Sequence, residues 1–559
     1  MSQFLERYKS FTGSAAKISL LNAISSAPAT AIDINGRVEL VKLILEDLKE
    51  STKLDPDVVL PTLVALKTLG RNSLASDIIS QIEHLQTLHT LALPSGEVPK
   101  ESLRCIANAL LLVEAGRGNW VSIGGAESCC QILERETSPD YVFLCARVLF
   151  LSTVHQTPFI IHAVESLGAV AILANKLDGL LVDLQASRPM SKEAMIDALK
   201  YAFNLLLQYP RMKHASTAAE TGNDTTTPPQ SNGTAPKHVM GELWDEKFAV
   251  MLPSLLHLFN CLPQTTGSPL APPLTHVIHA LLNIPIAPYA NIWFPPEGPP
   301  LSSGSQTLQK VRRSLSSRSQ PQSRATTPPS PGPATEALRR AYDLLDATLA
   351  YFTPGEPDDI EVRAKCKRED VALDDVGPPL ALLLGNMVRE NETARGQMKQ
   401  WLLPSDLDRS QPLEKRADVL GRCLRMMASV YFPKFKDSIG EMMFALCNSD
   451  ANIMGAQLGY GNIAGFLFNK GIMAPPPPPK DTPGTSKSGN DDISDDPDIN
   501  PITGAKYRPG PDPLEGMTDE EKEREAEKLF VLFDRLERMG MAVNPVRQAQ
   551  QQGKLEEMP

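Results

Sequence analysis

An Asn near the end of an Ala/Leu-rich helical stretch recurs three times in this chain, and no alternating strand pattern competes with it. The stretches are Leu-Arg-Cys-Ile-Ala-Asn108-Ala-Leu-Leu, Leu-Lys-Tyr-Ala-Phe-Asn204-Leu-Leu-Leu and Val-Ile-His-Ala-Leu-Leu-Asn283-Ile-Pro. Helices of this kind bury their apolar faces only against neighbours like themselves, which is the logic of a solenoid. Apolar residues at helical spacing run through 38–48, 58–69, 102–112, 140–154, 192–207, 248–258 and 274–284. Short polar or Pro/Gly breaks separate them. The pattern resumes over 336–351, 379–391, 393–402, 415–429 and 436–447. The expected fold is all-α, a degenerate armadillo/HEAT-like superhelix over 1–473. Loops stretch its period too far for a repeat count.

Three segments interrupt or end the array. Residues 211–240 are rich in Thr, Pro, Gly and Asn and read as a disordered insertion. A second insertion, 302–334, is Ser/Pro-rich and carries Lys310, Arg312, Arg313, Arg318 and Arg324 with no acidic residue. The third, 474–515, is an acidic, Pro-rich linker whose portion 481–500 holds six Asp against one Lys. Beyond it, Thr518 and Glu521 make a capping box that starts a helix over 516–540. Ala526, Leu529, Phe530, Phe533 and Leu536 share one face of that helix, opposite a charged one. Such a stripe must dock, either on the chain's own solenoid or on a partner. Residues 541–559 read as a flexible tail.

A formal charge of −11 argues against a nucleic-acid partner, which needs a concentrated basic surface. No run approaches 18 apolar residues and no basic leader opens the chain, so a cytoplasmic protein without a transmembrane segment is expected. The eight cysteines lack zinc or disulfide spacing, and adjacent Cys129-Cys130 reads as a pair of buried thiols. The sequons at Asn223, Asn232 and Asn391 are therefore not expected to be glycosylated. His276 and His279 lie three apart on a helix with no third ligand beside them, and read as core or groove histidines, not a metal pair. Gly459-x-Gly461-x-x-Ala464 lacks the preceding strand that a dinucleotide fingerprint requires, and its glycines read as the closing turn of the solenoid. No nucleophile motif, P-loop or kinase set is present, so no catalytic residue, metal or cofactor is expected. Ser316 follows Arg312-Arg313 at basophilic-kinase spacing, in a segment that reads equally as a solvated loop. Ser494, followed by Asp495, Asp496 and Asp498, suits an acid-directed kinase.

Three pieces occur in order after the array: Gly459-Tyr460-Gly461-Asn462-Ile463-Ala464-Gly465, then Asn500-Pro501-Ile502-Thr503-Gly504 behind the acidic stretch. Glu515-Gly516-Met517-Thr518-Asp519-Glu520-Glu521-Lys522 opens the last helix. Together they resemble the synembryn family (resistance to inhibitors of cholinesterase), and the helical body is similar more weakly. The insertions and the short end after about 540 depart from the animal pattern and suggest a divergent, fungal-like member. The resemblance implies a monomeric partner of heterotrimeric G-protein α subunits that chaperones them and promotes GDP release, without bond chemistry. It also implies that the Gα C-terminal helix lies in the concave groove. By the same resemblance Lys67 and Arg71, four apart on one early helix, Asn108, and the pair Arg395 and Lys399 are groove residues. Leu529, Phe530, Phe533 and Leu536 are implied to brace Gα, with Ser494 as a modulatory site. Cytoplasmic residence with recruitment to the plasma membrane or cell cortex follows. The rival is a generic armadillo-type peptide-binding adaptor or scaffold, which keeps the groove but has no use for the last helix.

Overall fold

The computed structural model describes residues 3–10, 13–50, 55–220, 243–263, 267–295 and 336–472, together with 499–500, 504–506 and 518. Every regular element among them is a helix, apart from one isolated antiparallel bridge between Ile499 and Lys506. The all-α expectation is met. Local signals account for several helix boundaries. Asp55 accepts from the Asp57 N–H and Pro56 opens the helix Pro56–Leu69, which Gly70 closes. Ser138 with Pro139 starts Pro139–Ser152, and Asn391 caps Glu392–Leu402.

Other boundaries move. Helices Gln3–Ser10 and Ser14–Ser26 precede the start expected near residue 38. The helix expected over 192–207 runs as Ser191–Glu220, with Pro210 inside it, so the first ten residues of the expected insertion, 211–220, are helical. The glycine element is a one-residue turn: Gly459, at φ +83°, separates Ala451–Leu458 from Tyr460–Asn469, and the rest of the element is helical.

Seven helices form the spine of the array. Pro56–Leu69, Glu97–Leu112, Pro139–Ser152, Ser191–Glu220, Leu274–Leu281, Leu373–Glu390 and Pro433–Leu446 each pack on the next. Shorter helices between them complete the repeats, as in armadillo units. The core is mainly Leu and Ala, with Trp120, Trp293, Tyr201, Tyr209 and Phe435 fully buried. All eight cysteines are free thiols, and burial pushes Cys130 and Cys423 up to about 12. No single described helix is long and apolar enough to cross a membrane.

Candidate peptide-binding groove

The recurrent Asn belongs to a longer pattern on the spine helices. Glu101-x-x-Arg104-x-x-x-Asn108 and Asp197-x-x-Lys200-x-x-x-Asn204 place an acid, a base and an amide on one face. Each acid is clasped between its own helix and the preceding spine helix. Glu101 meets Lys67 Nζ at 2.8 Å and Arg104 Nη1 at 2.6 Å. Asp197, only 1% exposed, meets Arg147 Nε at 2.7 Å and Lys200 Nζ at 3.6 Å. The amides reach back the same way. Asn204 Nδ2 donates to Phe150 O at 3.1 Å and to Thr153 Oγ1 at 3.2 Å. Asn108 Nδ2 donates to Lys67 O at a longer 3.5 Å. Carbonyls in the last turn of a helix lack intrahelical partners, so each Asn satisfies the end of the helix before it. Asn283 keeps the spacing but lies just past the end of Leu274–Leu281 and donates back to His279 O.

At the third occurrence His276 and His279 stand where the acid and base stood. A pocket of about 250 Å³ opens between three successive spine helices, lined by Phe150, Leu199, Lys200, Phe203, Asn204, His276 and His279. Burial first, then the Lys200 ammonium and His279, pulls the His276 imidazole down to about 4. Burial also lowers His279. Both rings are therefore neutral at pH 7, and the pocket joins aromatic walls to one ammonium and two uncharged imidazoles. Among the described residues no group of three His, Cys, Asp or Glu could hold a metal. Such a hollow is suited to an apolar side chain, with polar groups fixing its backbone or a terminal carboxylate.

The sequence-predicted groove residues do not form one site. Lys67 and Asn108 meet on neighbouring spine helices, and Lys67 is half-buried in its pair with Glu101. Arg71 does not share a helix face with Lys67. The helix ends at Leu69 with Gly70 as its cap, and exposed Arg71 lies beyond the turn. Arg395 and Lys399 lie on Glu392–Leu402, a connecting helix near the other end of the spine. There Arg395 Nη1 donates to Val388 O at 3.3 Å, capping the spine helix before it. Arg117 does the same earlier in the chain, donating to Leu110 O at 2.9 Å. Leu529, Phe530, Phe533, Leu536, Ser494 and Ser316 lie outside the described residues. Sequence reasoning missed Phe150, Lys200 and Phe203 as site residues. For Lys200 the signal was its place four residues before the recurrent Asn, where Arg104 and His279 also stand.

A helical-repeat array with a pocket between its spine helices defines an all-α solenoid of the armadillo/HEAT kind. The profile described as "Guanine nucleotide exchange factor synembryn" matches residues 62–554, and the chain belongs to that family. Among curated relatives, "Chaperone Ric-8A" of Gallus gallus is 31% identical over 170 residues, covering 29% of this chain and 30% of the relative. "Chaperone Ric-8A" of Macaca fascicularis is 33% identical over 162 residues, covering 29% and 30%. That of Rattus norvegicus is 31% identical over 207 residues, covering 35% of each. The chain thus spans about a third of the length of these relatives. Among solved structures, an engineered protein aligns at a TM-score of 0.38 and 17% identity, covering 84% of this chain and 93% of its own.

Proposed function

We propose that this chain is a folding chaperone and guanine nucleotide exchange factor for heterotrimeric G-protein α subunits, acting in the cytoplasm as a monomer. The family match over residues 62–554 carries this reading. In it, the Gα C-terminal helix lies along the spine helices and an apolar side chain near its end enters the pocket between Phe150, Phe203 and His276. Lys67, Arg71 and Asn108 at one end of the spine, and Arg395 and Lys399 at the other, are the polar contacts. Leu529, Phe530, Phe533 and Leu536 contact the Gα body. A Gα whose C-terminal helix is held here cannot use that helix to support its guanine site, so binding energy for the open state drives GDP release.

The test mixes the purified chain with GDP-loaded Gα and follows nucleotide release and complex formation. Accelerated release with a stable nucleotide-free complex is expected. Absence of both accelerated release and a stable complex would overturn the proposal.

A further inference from the structure

The first two tail motifs meet in space. Helix Ala451–Leu458 ends at the Gly459 turn, and its last carbonyls are claimed by the first motif and by Arg409, which also holds the second. Asn462 Nδ2, from the glycine element, donates to Leu458 O at 2.8 Å. Arg409 Nη1 donates to Gln457 O at 3.0 Å and, at 2.6 Å, to Gly504 O beyond the acidic linker. The Lys506 N–H in turn donates to Arg409 O at 2.7 Å. Asn500 and Gly504 close a turn of their own, with Asn500 N donating to Ala505 O and Gly504 N to Asn500 O, both at 2.8 Å. Gly504, at φ +66°, lies so close that a Cβ would stand 2.9 Å from the Leu458 carbonyl carbon and oxygen and 3.0 Å from Leu413 Cδ1. Ala505 is 7% exposed. Polar backbone buried against a helix end needs partners, and here Asn500 N and O, Gly504 N and O, Ala505 O and Lys506 N have them.

We propose that Ile499 and Asn500 together with Gly504, Ala505 and Lys506 are a clasp that pins the C-terminal arm to the closing end of the superhelix and sets the reach of the segment beyond it. Without the clasp, the arm is tethered from Ile472, forty-four residues before Gly516. With it, the tether starts at Lys506, ten residues before Gly516. At about 3.5 Å per residue the reach falls from roughly 150 Å to roughly 35 Å. Effective concentration falls roughly as the −3/2 power of tether length, so the clasp raises that of the arm at a groove-bound partner roughly tenfold. The tether rests on the Gα reading above; the clasp does not.

Hydrogen exchange of the full chain without Gα reads the clasp directly. The peptide spanning 499–506 exchanges slowly in the wild type and at the rate of its flanks in Gly504→Val and Arg409→Ala. The two variants strain the turn and remove its guanidinium independently. Fast exchange in the wild type would overturn the proposal. Affinity for intact Gα reads the tether. Both variants weaken it roughly tenfold, as does lengthening 507–515 by thirty-four Gly/Ser residues with the clasp intact. None of these changes matters in a full chain whose arm is disabled by Phe530→Asp and Phe533→Asp. Unchanged affinity in the variants and the lengthened chain would overturn the tether. Failure of the wild type to bind Gα overturns the proposed function and the tether with it, while exchange still decides the clasp.

Discussion

Asn204 serves two acceptors at the end of the preceding spine helix and is only 8% exposed. Replacing it with Ala removes the donor to the Thr153 hydroxyl and one donor to the Phe150 carbonyl, which keeps the Thr153 N–H, at a cost of about 1–2 kcal/mol. Half-buried Asn108, with one contact at 3.5 Å, should cost less than Asn204. The thermal midpoints of Asn204→Ala and Asn108→Ala check this order, and equal losses would refute it. His276 makes a pH prediction. Its folded pKa of about 4 lies below the ordinary histidine value, so between the two the unfolded chain binds the proton first. Stability is therefore full above about pH 6.5 and declines as pH falls toward 4. In His276→Gln that part of the slope flattens, as pH-dependent denaturation would show. The recurrent Asn was legible in the sequence, while the acid and base ahead of it were not. Glu101 and Asp197 resemble solvent-facing carboxylates until Lys67 and Arg147 arrive from another helix. Contacts between helices distant in the chain have no local signature.

At the closing end, glycines let helices meet at backbone distance. A Cβ at Gly440 would stand 2.2 Å from the Phe466 ring, and one at Gly377 would stand 2.8 Å from the Phe435 ring. Gly440→Ala must therefore push the helix Tyr460–Asn469 outward, costing about 1–3 kcal/mol. Hydrogen exchange of residues 460–469 should rise. Gly465 lies on that helix, but a methyl group there would meet nothing within 4 Å, which makes it the control. Gly465→Ala should be neutral or stabilising by about 0.5–1 kcal/mol. Equal protection in both variants would sink the packing argument. Helix identity was readable where period and caps agreed, as at Asp55, Pro56 and Gly70. It failed where tertiary packing overrode a breaker, as at Pro210 within Ser191–Glu220. Gly70 cuts both ways, because it ends the helix correctly and thereby removes Arg71 from the face of Lys67.

At the scale of the molecule, the proposed function makes the groove and the arm separate contacts on one partner, which substitution can separate. Phe530→Asp with Phe533→Asp in the full chain should leave affinity for a Gα C-terminal peptide unchanged while weakening binding to intact Gα. A generic adaptor would lose neither. Charge reversal in the groove should weaken both ligands, yet the two basic pairs are unequal tools. Arg395 caps a spine helix, so Arg395→Glu removes a structural bond along with a charge, and lost affinity would be ambiguous. Arg71 is exposed beyond its helix, and Lys399 is half-buried on a connecting helix without capping a neighbour, which makes Arg71→Glu and Lys399→Glu the cleaner pair. Titration calorimetry with peptide and with intact Gα separates the cases. If both reversals leave peptide affinity intact while a pocket substitution such as Phe203→Asp abolishes it, the site is the hollow among Phe150, Phe203 and the two histidines. Arg71 and Lys399 would then play no part in peptide binding, because the pocket alone would supply the desolvated contact that discriminates one peptide from another.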